Sequence, residues 1–314
     1  MRRFLLRRAV QAAVVLLGVA VITFSLLQLV PGDPVRIAMG TRFDPETYAA
    51  LRERSGLDRP LPVQLGDYLL GAVRGDLGVS FRSGAPVTEL LLQRLPATLA
   101  LAAAGLLVGL LVALPLGVVS AVKQGSKTDG AATVFSQLGI SIPDFWMGIM
   151  FILLFAGTLG WLPSAGYVSP LDSVTGWLSH LVLPAVTIGV VTGSILTRFV
   201  RASVLESLGQ DYTRTARSKG LPESLVLRRH VLRNALIPVV TVTGLQLATL
   251  LGGVIVVEFV FAWPGLGNLV FTAVQGRDYP VVQGVVLLLA ALFLLVNLLV
   301  DLAYSALDPR ISYS

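Results

Sequence analysis

The chain has 314 residues, of which 54% are hydrophobic and only 13% charged, and it contains no cysteine. Soluble domains carry about a quarter charged residues, so this composition excludes an ordinary soluble fold and indicates a membrane protein. The net charge of +6 does not indicate nucleic-acid binding, because the basic residues flank apolar segments and form no stripe interleaved with stacking aromatics. Without cysteine there is no disulfide framework, thiol nucleophile or cysteine metal site.

The first 30 residues join a basic head to a long apolar segment. Arg2, Arg3, Arg7 and Arg8 form the head, and the apolar segment ends near Val30. Because this segment is long enough to cross a bilayer and no small-x-small cleavage site follows it, we interpret it as an uncleaved first span.

Residues 31–95 are too polar to lie in a membrane and are predicted to form a small helical cap. Asp44 before Pro45 is a typical helix start, and Gly56 fits the end of that helix. Pro62 begins a second, amphipathic pattern. The cap packs over the bundle in one interpretation and gates it or docks a partner in another, and both stay open.

Six apolar segments have about the 20 residues that a membrane-spanning helix needs. They lie near Ala9–Val30, Ala97–Val122, Ala131–Leu159, Leu181–Thr197, Ala235–Val257 and Val281–Val300. Pro115 and Pro143 lie within or at the edge of two of these segments and predict kinks, which a bundle can tolerate. The pattern therefore predicts an all-α integral membrane protein with six transmembrane helices.

The distribution of Lys and Arg predicts how the chain crosses the membrane. The basic residues concentrate in the N-terminal head, the turn at 123–127, the loop 198–233 and the tail with Arg310. The loop 160–180 has none, and 31–95 balances its arginines with Asp and Glu. By the positive-inside rule, both termini lie in the cytoplasm and residues 31–95 lie outside.

The segment 201–234 is too polar for a span, yet it is patterned. Apolar and small residues recur there at helical spacing and predict a half-apolar helix: Leu205, Leu208, Tyr212, Thr215 and Ala216. Gly220 can end that helix in the left-handed conformation, and Pro222 with Glu223 can start another. A rigid helix–break–helix tied to two spans can transmit the movement of a cytoplasmic partner. An amphipathic helix lying on anionic lipid would show the same pattern.

This segment resembles the signature loop of ABC-importer permeases, in which Glu-Ala-Ala is followed by three residues and Gly. Here the register is Arg214-Thr215-Ala216, three residues, then Gly220. The leading Glu is absent, the first Ala is Thr, and only Leu232 matches the later Ile-x-Leu-Pro. These departures are typical of the dipeptide/oligopeptide/nickel branch of the family.

The resemblance to that branch extends along nearly the whole chain, through ten further motifs in the same order. They are VPGDPV (30–35), GLDRPLPVQ (56–64), GDLGVSFRSGAPV (75–87), LPATLALA (95–102), SIPDFWMGI (141–149), WLPSAGY (161–167), LVLPA (181–185), VEFVFAWPGLGNLV (257–270), RDYPVVQG (277–284) and NLLVDLAYSALDPR (297–310). The chain is thus similar to a first-type permease, the kind with a long first outer loop.

The resemblance implies the type I ABC-importer permease architecture. It divides the chain into a tail and first span (1–30), an extracytoplasmic helical segment (31–95), a permease domain (96–305) with coupling loop 201–234, and a cytoplasmic tail (306–314). The permease would form half of the translocation pathway and couple ATPase closure to alternating access. The implied ATPase-coupling residues are Asp211, Arg214, Thr215, Ala216, Arg217, Gly220, Leu221, Pro222 and Glu223.

The resemblance also implies the partners and the location. The partners would be a second, homologous permease in a heterodimer, two cytoplasmic ATPases and an extracytoplasmic solute-binding protein, in a bacterial or archaeal plasma membrane. This chain would bind no cofactor, and the ATPases would bind ATP and Mg. A peptide, a nickel chelate, glutathione or a modified sugar would all suit this branch as the solute.

The residues do not indicate an enzyme. The nearest match to a phosphate loop, Gly125–Thr128, lacks the second Gly and follows a span. His180 and His230 fall on opposite sides of the predicted membrane, so no joint metal site is expected. An ion-gradient-driven secondary transporter is the alternative, although the spans offer few of the buried ionisable residues that it would need.

Polar and small residues within the spans give the remaining hypotheses. Gln246 and Thr249 lie deep in the fifth predicted span and Glu258 lies at its outer end, and we expect them along the translocation path. The glycine pairs 105/109 and 189/193 allow close helix packing, either within the chain, which we favour, or against the partner permease.

Overall fold

The computed structural model describes residues 2–40 and 43–307, with side chains described for 6–40, 43–53 and 55–302. Arg310 and most of the tail predicted for 306–314 lie outside the described residues. The described residues form thirteen α-helices, and α7 and α10 each continue as a π-helix.

The helices run in chain order as follows. They are α1 (Arg2–Gln28), α2 (Pro34–Met39), α3 (Pro45–Arg54), α4 (Leu61–Arg74), α5 (Val87–Val122), α6 (Lys127–Ser141), α7 (Asp144–Phe151, with the π-helix Ile152–Thr158), α8 (Val174–Gly209), α9 (Asp211–Ser218), α10 (Glu223–Leu225, with the π-helix Val226–Val231), α11 (Leu232–Val260), α12 (Leu266–Gln275) and α13 (Tyr279–Leu307).

Among the described residues, five continuous helical segments are long and apolar enough to cross a membrane: α1, α5, α8, α10 through α11, and α13. Helices α6 and α7 make a sixth if they count as one span, and they are bent by 103° at the break between them. Pro143 explains the break, because proline lacks an N–H and disfavours helical geometry at Ile142, which is extended (φ −88°, ψ 126°). The predicted all-α class and the kink at Pro143 are confirmed, whereas Pro115 lies inside the continuous helix α5.

One compact unit comprises Met1–Leu99 and Pro264–Leu295. Its buried core joins the start of α5, through Val87 and Leu91, to α12 and the start of α13. The predicted helix start at Asp44 is confirmed, since the Asp44 carboxylate accepts a hydrogen bond from the Thr47 amide at 2.8 Å. The cap segment therefore contains short, locally encoded helices.

The second unit comprises Ala100–Trp263 and Val296–Ser314. Its most enclosed span is α8, whose most apolar stretch is 67% buried, whereas the corresponding stretches of the other four spans are 6–28% buried. Helices α5 and α8 meet through their glycines: a Cβ added to Gly109 would lie only 3.1 Å from the Gly193 nitrogen, and one added to Gly105 only 2.5 Å from Ile188 Cγ2. The glycine pairs thus serve packing within the chain, as favoured from the sequence.

Candidate functional site

Helix α9 has one buried face and one exposed, charged face. Thr213 and Ala216 are buried, and the Thr213 hydroxyl donates a hydrogen bond to the carbonyl of Ser207 at 2.8 Å. Arg214 and Arg217 lie on the exposed face. The helix is therefore fixed to its unit on one side and presents charge on the other.

The single half-apolar helix expected over 205–216 is divided in two. Helix α8 continues to Gly209, so Leu205 and Leu208 belong to it, and Gln210 is extended (φ −73°, ψ 151°) before α9 begins. Gly209 explains the division because glycine is a weak helix former, and Asp211 favours a new start because acidic residues are stabilised in a helix's first turn.

The break after α9 forms where the sequence predicts it. Gly220 has φ 75°, a left-handed conformation, and no atom beyond its chain neighbours would lie within 4 Å of an added Cβ. Pro222 then leads into α10. Across this break, Arg217 Nε and Nη2 donate to the two Glu223 carboxylate oxygens at 3.0 and 2.5 Å. Glu223 raises the pKa of the Arg217 guanidinium through these bonds and its charge.

The loop is attached to two spans by a continuous buried cluster. Val226 and Val231 of the π-helix after α10 are fully buried, and they pack with Ala216 of α9, Val200 of α8 and Ala235 of α11. A movement imposed on α9 and α10 therefore reaches α8 and α11 through packed side chains rather than through a slack linker. This arrangement is the candidate functional site, defined as residues 211–231.

The second unit also contains an ion pair that was not predicted from the sequence. Arg201 of α8 donates to the two Asp129 oxygens at 2.8 and 2.9 Å, and Asp129 also accepts from the Ser120 hydroxyl and the Gly125 amide. These hydrogen bonds connect α5, α6 and α8 beside the turn between α5 and α6. The two residues lie 72 positions apart, and both read as ordinary loop charges, so no local signal marks the pair.

The first unit contains another set of hydrogen bonds between residues that are distant in the sequence. Asp278, just before α13, accepts hydrogen bonds from the Ser80 hydroxyl at 2.5 Å and the Phe81 amide at 3.0 Å. Burial raises the pKa of the Asp278 carboxyl, and these hydrogen bonds offset part of that rise. Two motifs noted in the sequence, 75–87 and 277–284, are thus joined in space.

The three path candidates lie on α11 but not together. Glu258 is fully buried, Gln246 is half-buried, and Thr249 is exposed and donates to the Leu245 carbonyl. At a rise of about 1.5 Å per residue, Glu258 is about 14 Å along the helix from Thr249. Their role in translocation stays a prediction.

The phosphate-loop-like segment and His180, which the sequence does not indicate as functional sites, make local structural contacts. Gly125 and Ser126 lie in the turn between α5 and α6, Lys127 and Thr128 begin α6, and the Gly125 amide donates a hydrogen bond to Asp129. Nδ1 of His180 lies 2.8 Å from the Gly176 carbonyl. Within the described residues, no group of three or more His, Asp or Glu side chains is placed to hold a metal ion.

The fold and the site define a multi-span α-helical membrane subunit with a packed loop between its spans. Sequence profiles described as "Binding-protein-dependent transport system inner membrane component" and its N-terminal counterpart match residues 113–313 and 1–102. The chain belongs to this family of ABC-importer permeases, which does not favour the secondary-transporter alternative.

Relatives of known name match along their whole length. A Brucella abortus chain named for a peptide transport system permease protein is 45% identical, with all of both chains covered. The dipeptide transport system permease protein DppB of Escherichia coli K12 is 42% identical, covering 100% of this chain and 99% of that one. DppB of Alkalihalophilus pseudofirmus is 40% identical with both chains fully covered.

Solved structures share the fold. An inward-facing MetNI methionine ABC transporter chain gives a TM-score of 0.57 at 23% identity, covering 70% of this chain and 96% of that one. An amino acid ABC transporter gives 0.53 at 15% identity, with 71% and 95% covered. The type I importer permease architecture implied by the sequence is therefore confirmed.

Proposed function

We propose that this permease serves an ATP-driven importer of dipeptides or oligopeptides. The observation that carries the coupling role is the buried cluster that joins α9 and α10 to spans α8 and α11. The exposed face of α9 would sit against an ATPase subunit, through Asp211, Arg214, Thr215 and Arg217. The names of the full-length relatives support peptides as the solute.

In this proposal the complete importer contains a different but homologous permease, two ATPases that bind ATP and Mg, and a solute-binding protein. Closure of the ATPases would move α9 and α10, and the packed side chains would move α8 and α11 with them. The translocation pathway formed by the two permeases would then open outward to receive the solute, and ATP hydrolysis would return the pathway to the inward-open state. Both termini and the site would lie in the cytoplasm.

Transport in proteoliposomes tests this function. The chain is reconstituted with its ATPases, the second permease and the binding protein, and uptake of radiolabelled Ala-Ala is measured with and without ATP on the ATPase side. Uptake that needs both ATP and the binding protein supports the proposal. Uptake by the chain alone on a proton or sodium gradient would refute it.

Orientation has its own test. A reporter that is active only outside the cytoplasmic membrane is fused after Ser314, and a matched fusion is made in the loop between α3 and α4. Activity is expected only from the second fusion. Activity from the C-terminal fusion would overturn the placement of the site in the cytoplasm.

A further inference from the structure

A cavity of about 620 Å³ lies in the second unit, along the seam between α6 and α8. Cavities of about 300–1,000 Å³ are typical of small-molecule sites. The wall from α6 includes Ser136 and Gln137, and the wall from α8 includes Thr197, Arg198 and Arg201. Hydroxyl, amide and guanidinium groups therefore converge on one space large enough for a short peptide.

The cavity carries one uncompensated positive charge. Asp129 neutralises Arg201, and its two oxygens already accept four hydrogen bonds. The Arg198 side chain is exposed and makes no hydrogen bond or ion pair with any residue that the structure describes. A guanidinium binds carboxylate or phosphate oxygens with paired N–H groups, so Arg198 is suited to an oxyanion ligand.

A buried hydroxyl in the wall of the cavity also lacks a hydrogen-bond partner. Ser136 is 2% exposed, and its hydroxyl makes no hydrogen bond within the described part of the chain. A buried hydroxyl left unpaired costs free energy that a ligand acceptor recovers. This second observation, independent of Arg198, points to a polar ligand in the same space.

We propose that this cavity binds the carboxylate of the solute in transit, with Arg198 as its charge partner and Ser136 as a hydrogen-bond donor. The inference rests on the proposed function and names the chemical group that the pathway recognises. Arg198 directly follows the apolar stretch predicted to end at Thr197, so the carboxylate would be bound near one membrane surface. A small solute can approach both the exposed Arg198 and the buried Ser136 hydroxyl, whereas a lipid phosphate at the membrane surface would reach only Arg198.

Equilibrium binding to the complex without the solute-binding protein tests the site, because the ligand selectivity of that protein then has no effect on the result. The complete permease–ATPase complex in nanodiscs is titrated with fluorinated Ala-Phe and with its C-terminal amide, and binding is followed by fluorine NMR. The free acid should bind about tenfold more tightly than the amide, as one charge-assisted hydrogen bond implies. Arg198→Gln should remove this preference, whereas Arg198→Lys and the exposed control Arg7→Gln should keep it.

Ser136→Ala gives an independent measurement, with an expected loss of a few-fold in affinity for the free acid. Equal binding of acid and amide, or a preference that survives Arg198→Gln, would overturn the site. The titration is repeated with phosphatidylglycerol added to phosphatidylcholine nanodiscs. Loss of the preference on adding the anionic lipid would assign the cavity to a lipid phosphate and overturn the proposal. ATP-driven uptake by the same wild-type complex tests the proposed function separately.

Discussion

Replacing Gly105 by alanine puts a methyl group where α5 touches α8. The added Cβ would lie 2.5 Å from Cγ2 and 2.8 Å from Cβ of Ile188, whereas carbon atoms rest about 3.5–4.0 Å apart. Turning the Ile188 side chain cannot move its Cβ, so the helix backbones must separate by at least about 0.7 Å. Overpacking of this kind costs about 1–3 kcal/mol.

Gly252→Ala is the matched control, because it lies on an exposed part of α11 with no atom within 4 Å of an added Cβ. Both substitutions gain the same helix propensity, up to about 1 kcal/mol, which cancels in the comparison. Unfolding of the purified chain in mixed micelles by increasing SDS, followed by tryptophan fluorescence, measures the difference. Gly105→Ala is expected to be less stable than Gly252→Ala by about 1–3 kcal/mol.

A double-mutant cycle with Ile188→Ala identifies the contact. Ile188→Ala alone leaves a cavity and costs about 2–5 kcal/mol. In the double variant the contact of the new methyl group with Cγ2 is gone, while its contact with the Cβ of residue 188 remains. The combined loss should therefore fall short of the sum by about 0.5–3 kcal/mol. Additive losses, or equal stability of Gly105→Ala and Gly252→Ala, would refute the close approach of α5 and α8.

Four further outcomes are expected. Gly220→Pro should abolish ATP-driven uptake while the chain still inserts into the membrane, because proline cannot adopt φ 75°. The control Gly220→Asn should retain transport. Normal uptake in the proline variant would contradict the coupling role of residues 211–231. Glu223→Arg should lower binding-protein-stimulated ATP hydrolysis, and adding Arg217→Glu should restore part of it; no recovery would argue against the ion pair across the break. Asp129→Asn should lower the SDS concentration at the unfolding midpoint, because the Arg201 guanidinium loses its counter-charge. An unchanged midpoint would contradict a stabilising role for the Asp129–Arg201 ion pair. Because the folded-state pKa of Asp278 is raised, its contribution to stability is largest below the ordinary Asp pKa and is lost as pH rises through the folded value. Wild type should therefore lose stability relative to Asp278→Asn as pH rises above the ordinary Asp pKa of about 4, and a pH-independent difference would refute the shift.

Local signals in the sequence predicted local structure well. Asp44 before Pro45 begins α3, Pro143 breaks the third span, and Gly220 takes the left-handed conformation, as predicted. Each of these depends on the conformational limits of one residue and its neighbours. The boundary at Gln210 was missed because the apolar repeat continues across it without a change of period.

Pairings between distant residues could not be predicted from one sequence. Arg201 and Asp129 are 72 residues apart, and Ser80 and Asp278 are 198 apart. The spacing of charges in a loop indicates that they flank a span, but it does not say which partner the fold brings to them. The same limit applies to the cavity beside Arg198, whose two walls come from separate spans.

The bond between Asp129 and Arg201 also constrains how the protein is made. Asp129 emerges from the ribosome 72 residues before its partner, which is roughly 4 to 14 s of synthesis at about 5–20 residues per second. During that interval its carboxylate has no guanidinium and must stay hydrated at the membrane surface, since burying a lone charge is costly. The third span can therefore be locked in place only after the fourth has been synthesised.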